Sequence, residues 1–189
     1  MTKPAKAITV LAILLAVAMG ILYGKGLLAV HQGQEPPASL AVLKLQNPAK
    51  PAPQVAFSDV RGQRHALADF KGRYVLLNLW ATWCGPCVAE LPALATLSRH
   101  VPGLRVIAVD VGRDTAQQAD AFLKSRNAER LGTFVDTDIA MVRNFGAYGL
   151  PMTALIDPEG NVIAKAEGPA EWATPEAVRA TLETGHATF

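Results

Sequence analysis

Tyr74-Val75-Leu76-Leu77-Asn78-Leu79-Trp80-Ala81-Thr82-Trp83-Cys84-Gly85-Pro86-Cys87 is the stretch that decides the fold. Its first seven residues are almost uninterruptedly apolar, the pattern of a strand buried on both faces of a sheet. Two cysteines three positions apart follow, and Val88, Leu91, Leu94 and Leu97 continue at helical spacing to about His100. A central strand thus hands the chain to a helix with a cysteine at its mouth. A thiol there meets free backbone N–H groups and the positive end of the helix dipole, which favour its thiolate. Cys84 is therefore the expected nucleophile, exposed at the helix N-terminus, and Cys87, one turn inside, the thiol that resolves a mixed disulfide. Pro86 suits the first helical turn, where its missing N–H costs nothing. Gly85 lets a partner backbone pass close to Cys84, and Trp83 can wall the site.

These are the only cysteines in the chain. The loop between them is too short to restrain the unfolded chain, so a purely structural disulfide gains little. A structural zinc site needs two further Cys or His ligands, and His31, His65, His100 and His186 form no such cluster. With 189 residues, 50% hydrophobic and 18% charged, the chain can bury a core without staples or metal, which leaves the cysteines free for chemistry. The net charge is +2, and Lys and Arg are scattered among acids, which argues against a nucleic-acid partner.

Outward from the centre, Lys3 and Lys6 precede an uncharged run from Ala7 to Tyr23. As a helix it spans roughly 25 Å, the lower limit for a bilayer, with Lys25 able to snorkel to the far interface. Residues 1–30 read as a membrane anchor that leaves the domain outside, with a cleaved signal peptide ending near Ala16-Val17-Ala18 as the alternative. Both readings export the chain. Residues 31–53, with Pro36, Pro37, Pro48, Pro51 and Pro53, read as an extended tether, within which Ala38 to Leu45 can also form a short helix or pack on the domain.

Residues 54–189 read as one α/β domain. Val55 to Asp59 and His65 to Leu67 form a small N-terminal hairpin around Arg61-Gly62-Gln63. Strands follow at Leu104 to Val109, Thr133 to Val135, Thr153 to Asp157 and from Val162, with helices at Thr115 to Lys124 and Ile139 to Phe145 between them. Thr174 caps a last helix that has Pro175 at its first position.

The segment from Trp80 to Cys87 resembles the active-site segment of thioredoxins, placed after a buried strand as in that superfamily. The chain is similar in particular to the TlpA-like, ResA-like and CcmG-like membrane-anchored thioredoxins, most of all to TlpA over roughly Val55 to Leu182. The resemblance implies a thioredoxin fold, a central mixed β-sheet flanked by helices, with the hairpin as an extension. Asn78 stands where thioredoxin has a buried Asp, as in the exported branch. Glu90 matches a Glu near the cysteine pair in the ResA-like group, which implies a proton relay for Cys87; read alone, it is a solvated helix residue. Gly149-Leu150-Pro151-Met152-Thr153 resembles the family's cis-proline segment, which places Pro151 opposite the cysteines with the Leu150 backbone free to pair with a substrate chain. Gly168-Pro169-Ala170-Glu171-Trp172 looks like the corresponding segment of TlpA-like proteins; read alone, it is a helix-entry loop with Trp172 packed on the core.

What the family does supplies the functional expectation. Gly85-Pro86 is the thioredoxin pair, and no His precedes Cys87 as in DsbA-type oxidants, so the expected activity is protein-disulfide reduction. The resemblance implies a single-pass protein of the bacterial inner membrane with its domain in the periplasm. It also implies a membrane electron donor of DsbD or CcdA type, since that compartment is oxidising. Implied substrates are copper-site assembly factors, the oxidase copper subunit or apocytochrome c, whose thiols must be reduced before metal or haem binds. No cofactor is expected beyond the Cys84–Cys87 disulfide, and no metal. Two alternatives use the same thiols: a disulfide oxidase or isomerase, and a copper-binding metallochaperone.

Overall fold

The computed structural model describes residues 43–172 and Thr174. The expected anchor, the first part of the tether and the helix expected after Thr174 lie outside the described residues. Among the described residues, no helix is long and apolar enough to cross a membrane.

Tyr74–Trp80 forms β4, at the centre of an eight-stranded mixed sheet. The other strands are β1 (Leu43–Pro51), β2 (Phe57–Asp59), β3 (Arg64–His65), β5 (Leu104–Asp110), β6 (Thr133–Val135), β7 (Met152–Ile156) and β8 (Asn161–Glu167). Their order is β1-β8-β7-β4-β5-β6-β2-β3, with β4, β5 and β6 parallel and every other pairing antiparallel. Three α-helices, α1 (Gly85–His100), α2 (Ala116–Ser125) and α3 (Ala140–Phe145), and two short 3-10 helices, Leu67–Phe70 and Glu129–Leu131, complete the described part.

β4 is apolar apart from Asn78 and the half-buried Tyr74 because both of its faces are covered. Leu76 and Trp80 join Leu91, Leu94 and Leu97 of α1 in one core cluster. Val75, Leu77 and Leu79 join Met141 and Phe145 of α3 in the other. The faces alternate residue by residue, as the pleat requires. α2 begins at a capping box, in which Thr115 Oγ1 accepts from the Gln118 N–H at 3.2 Å and Gln118 Oε1 from the Thr115 N–H at 2.8 Å.

The tether expected over 31–53 needs correction at its C-terminal end. Leu43–Pro51 is a strand that pairs antiparallel with β8 and closes one edge of the sheet. Proline is tolerated there because an edge strand has one unpaired side, and the register shift between Leu45 and Lys50 carries Pro48 out of the ladder. Leu43 is buried against the α1 side of the core, while most of the strand stays exposed. The expected hairpin forms as β2 and β3 and lies at the opposite edge, where β2 pairs with β6.

Candidate active site

The two cysteines sit where β4 ends and α1 begins. Cys84 is the N-cap of α1, and the Cys87 N–H donates to Cys84 Sγ at 3.3 Å. The sulfurs are joined, with S–S at 2.04 Å and the Cα atoms 5.3 Å apart. Cys84 was expected at an exposed position, but it retains only 6% of its surface, and Cys87 is fully buried. The cause is the turn before the helix: the Cys84 N–H donates to the Ala81 carbonyl at 3.1 Å, which folds Cys84 against the core around Trp80 and Leu91. Gly85 and Pro86 are exposed, and Trp83 stands 70% exposed as the apolar rim of the site.

The opposite wall comes from β7. Leu79 pairs with Met152 and Asn78 with Thr153, which sets Pro151 level with the end of β4. The Leu150–Pro151 peptide is cis. Pro151 is buried, Leu150 half-buried against both core clusters, and Tyr148 and Gly149 are exposed. The structure therefore brings Trp83, Cys84, Gly85, Pro86, Cys87, Leu150 and Pro151 to one end of the sheet.

Glu90 lies three residues after Cys87, on the same face of α1. It is not a solvated helix residue: only 5% of its surface is exposed. Oε1 accepts from Asn78 Nδ2 at 2.7 Å; Oε2 accepts from Trp172 Nε1 at 3.0 Å and from the Ala170 N–H at 3.3 Å. Asn78 Nδ2 also donates to Thr153 Oγ1 at 3.0 Å. Burial pushes the Glu90 carboxyl above its usual range, while the bonds from Trp172, Asn78 and Ala170 oppose that rise. Trp172 thus packs on the core, as expected, and also holds this carboxylate.

A second buried carboxyl escaped the sequence reading. Asp110 ends β5, in register with Trp80, and is 1% exposed. Its Oδ1 accepts from the Gly112 N–H at 2.7 Å, and its Oδ2 has no partner. Asp114 is its charged neighbour, anchored by the Thr82 hydroxyl at 2.7 Å. Burial first and Asp114 second push Asp110 up to about 6. A Cβ on Gly112 would lie 2.9 Å from Ala81 Cβ and 3.1 Å from Trp83 Nε1, so this loop packs directly under the turn that leads to Cys84. Its only sequence signal was an Asp closing a run that is apolar apart from Arg105.

Among the described residues, no group of three or more His, Cys, Asp or Glu side chains is placed to hold a metal ion.

Fold and site together define a thioredoxin-fold protein with a dithiol pair at the mouth of its first described α-helix. The Redoxin family profile matches residues 47–182, and the chain belongs to that family. It is 36% identical over 119 residues to the thiol-disulfide oxidoreductase ResA of Bacillus subtilis (strain 168), a match covering 62% of this chain and 65% of that protein. With ResA of Bacillus thuringiensis subsp. konkukian (strain 97-27) it shares 33% identity over 121 residues, 63% of this chain and 69% of the relative. The chain thus spans about two thirds of the length of these relatives. A Chlorobium tepidum protein assigned as thiol:disulfide interchange protein DsbE superposes with a TM-score of 0.62 at 28% identity, covering 72% of this chain and 96% of that one.

Proposed function

We propose that the chain is a thiol–disulfide oxidoreductase that works as a reductase of protein disulfides outside the cytoplasm. The observation that carries this reading is Cys84 capping α1, its sulfur receiving the Cys87 N–H, with Cys87 buried behind it. A thiolate at Cys84 gains from that N–H and from the helix dipole, so it is the better nucleophile of the two.

In the reduced enzyme, Cys84 Sγ attacks one sulfur of a substrate disulfide. A new S–S bond forms, the substrate bond breaks, and the departing thiolate takes up a proton. Cys87 then loses its proton, with Glu90 on the same helix face as the acceptor, and attacks Cys84 Sγ. The second substrate thiolate leaves and is protonated. Two electrons have passed to the substrate, and the enzyme holds the Cys84–Cys87 disulfide. Trp83 and Tyr148 offer exposed aromatic surface beside the pair, and the Leu150 backbone offers an extended segment for the substrate chain.

Gly85-Pro86 between the cysteines favours the reducing direction. A membrane donor of DsbD or CcdA type would restore the thiols, and residues 1–30 would hold the enzyme in the inner membrane beside that donor. Substrates would be proteins whose cysteines must be reduced before copper or haem is inserted. The uncharged run from Ala7 to Tyr23 behind Lys3 and Lys6 supports this placement.

Trapping tests the reading. In Cys87→Ser the mixed disulfide on Cys84 cannot resolve, so the substrate stays attached and is identified by mass spectrometry; Cys84→Ser captures nothing. Copper-site proteins or cytochrome c precursors on Cys84 are the expected result. An empty Cys84 in a folded variant would overturn the exchange mechanism, and a reduction potential as oxidising as that of DsbA would overturn the direction.

A further inference from the structure

Three arginines far apart in sequence meet at the end of the sheet opposite the cysteines. Arg73 immediately precedes β4, Arg105 is the second residue of β5, and Arg130 lies in the short 3-10 turn Glu129–Leu131. Tyr74 pairs with Leu104 and Val75 with Arg105, so Arg73 and Arg105 enter neighbouring parallel strands side by side. Together with Ser98 they line a cavity of about 380 Å³. The length of β4, roughly 20 Å, separates this cavity from the cysteine pair.

Among the described residues, none of the three guanidiniums has a counter-charge. The ion pairs among the described residues are His65 with Asp59 and Asp69, Lys124 with Asp120, and Lys165 with Glu167. Among the described residues, no acidic side chain lines the cavity. Burial and the nearby charge of Arg73 both push the Arg105 pKa down, so these two guanidiniums are held close against their mutual repulsion.

We infer that Arg73, Arg105 and Arg130 form a binding site for a compact phosphate-class oxyanion. One arginine fork satisfies the two oxygens of a carboxylate, whereas a tetrahedral phosphate presents oxygens in several directions and can engage three forks at once. Its negative charge offsets the repulsion among the guanidiniums. The phosphate can be that of a soluble ester or pyrophosphate, or that of an anionic phospholipid headgroup; the recognition chemistry is the same.

The test uses the full chain, ¹⁵N-labelled at arginine, in uncharged detergent. Titration with pyrophosphate should shift the Arg73, Arg105 and Arg130 Nε–H signals saturably and weaken with added salt. Arg105→Gln should lower the affinity about tenfold or more. Arg130→Gln, at an exposed position that does not threaten folding, should do the same. Arg126→Gln, whose parent side chain stacks on Phe122 outside the cavity, should leave it unchanged. In a second arm the micelles carry phosphatidylglycerol or phosphatidylcholine. The same shifts with phosphatidylglycerol alone identify a lipid source, and shifts with pyrophosphate alone identify a soluble one. Absence of saturable shifts with either probe, or equal weakening in Arg105→Gln and Arg126→Gln, would overturn the assignment.

Discussion

Replacing Asp110 by Asn should make the protein more stable at neutral pH and leave it unchanged near pH 4. In the folded chain Asp110 is buried, has one oxygen without a partner and faces Asp114, and its pKa rises from 3.8 to about 6. An acid whose folded pKa lies above its unfolded value contributes most to stability below the unfolded value. That contribution is lost as pH rises, here between about 4 and 6, and the profile is flat above. At ~1.4 kcal/mol per pH unit, a window of about 2 units amounts to about 3 kcal/mol. Asn keeps an oxygen to accept the Gly112 N–H and presents an amide N–H to the Asp114 carboxylate, so it removes the penalty without removing the bond. Urea unfolding of the oxidised protein, followed by tryptophan fluorescence from pH 4 to 8, measures both curves. Their difference isolates Asp110, because Glu90, also raised by burial, contributes equally to each. Parallel curves, or an Asn variant weaker at pH 7.5, would refute the reasoning.

The other site residues yield sharper readouts than stability alone. Glu90→Gln should slow resolution of a mixed disulfide on Cys84 by on the order of 10²-fold at neutral pH and flatten its pH profile, measured by single-turnover stopped flow; an unchanged profile would remove Glu90 from the proton path. Trp172→Phe deletes one donor to Glu90 Oε2. It should cost about 1–2 kcal/mol in urea unfolding and, by withdrawing a bond to the charged form, raise the Glu90 pKa further, as read by carboxyl ¹³C NMR titration. Gly112→Ala drives a Cβ toward Ala81 and Trp83. The expected result is about 1–3 kcal/mol of destabilisation and a changed Trp83 environment in fluorescence quenching.

What was legible in the sequence is what burial makes periodic. β4 and β5 are covered on both faces, so their apolar runs mark them almost to the residue, and the helix read from Thr115 starts there because that residue caps α2 locally. β1 escaped because an edge strand exposes most of its side chains and admits prolines that elsewhere signal a tether. Asp110 escaped for the opposite reason: a polar residue closing a strand ordinarily reaches solvent, and only the loop of Gly112 and Asp114 folded over it shows that this one does not. The arginine cluster was invisible because its members are separated by β4, α1, most of β5 and α2, and a scattered charge pattern carries no record of which strand ends become neighbours.

Glu90 is the most instructive case. A lone Glu on a helix reads as exposed, and only the resemblance to the ResA-like proteins drew attention to it. The physical explanation for its burial lies 12 residues upstream and about 80 residues downstream, in Asn78, Ala170 and Trp172. Each is a neutral donor aimed at a carboxylate, so together they stabilise the charged form against the burial that disfavours it. Asn78, the one polar side chain in β4, is what permits this. An Asp at that position would set a second negative charge against Glu90, whereas the Asn amide donates to it and to Thr153 of β7 at once. The ionisable group has in effect moved from the strand to the helix, and its titration is set by donors on β4 and in the 170–172 segment, with β7 reaching it through the Asn78–Thr153 bond. A change in how β7 or the 168–172 segment packs should therefore register first at Glu90 and, through α1, at Cys87.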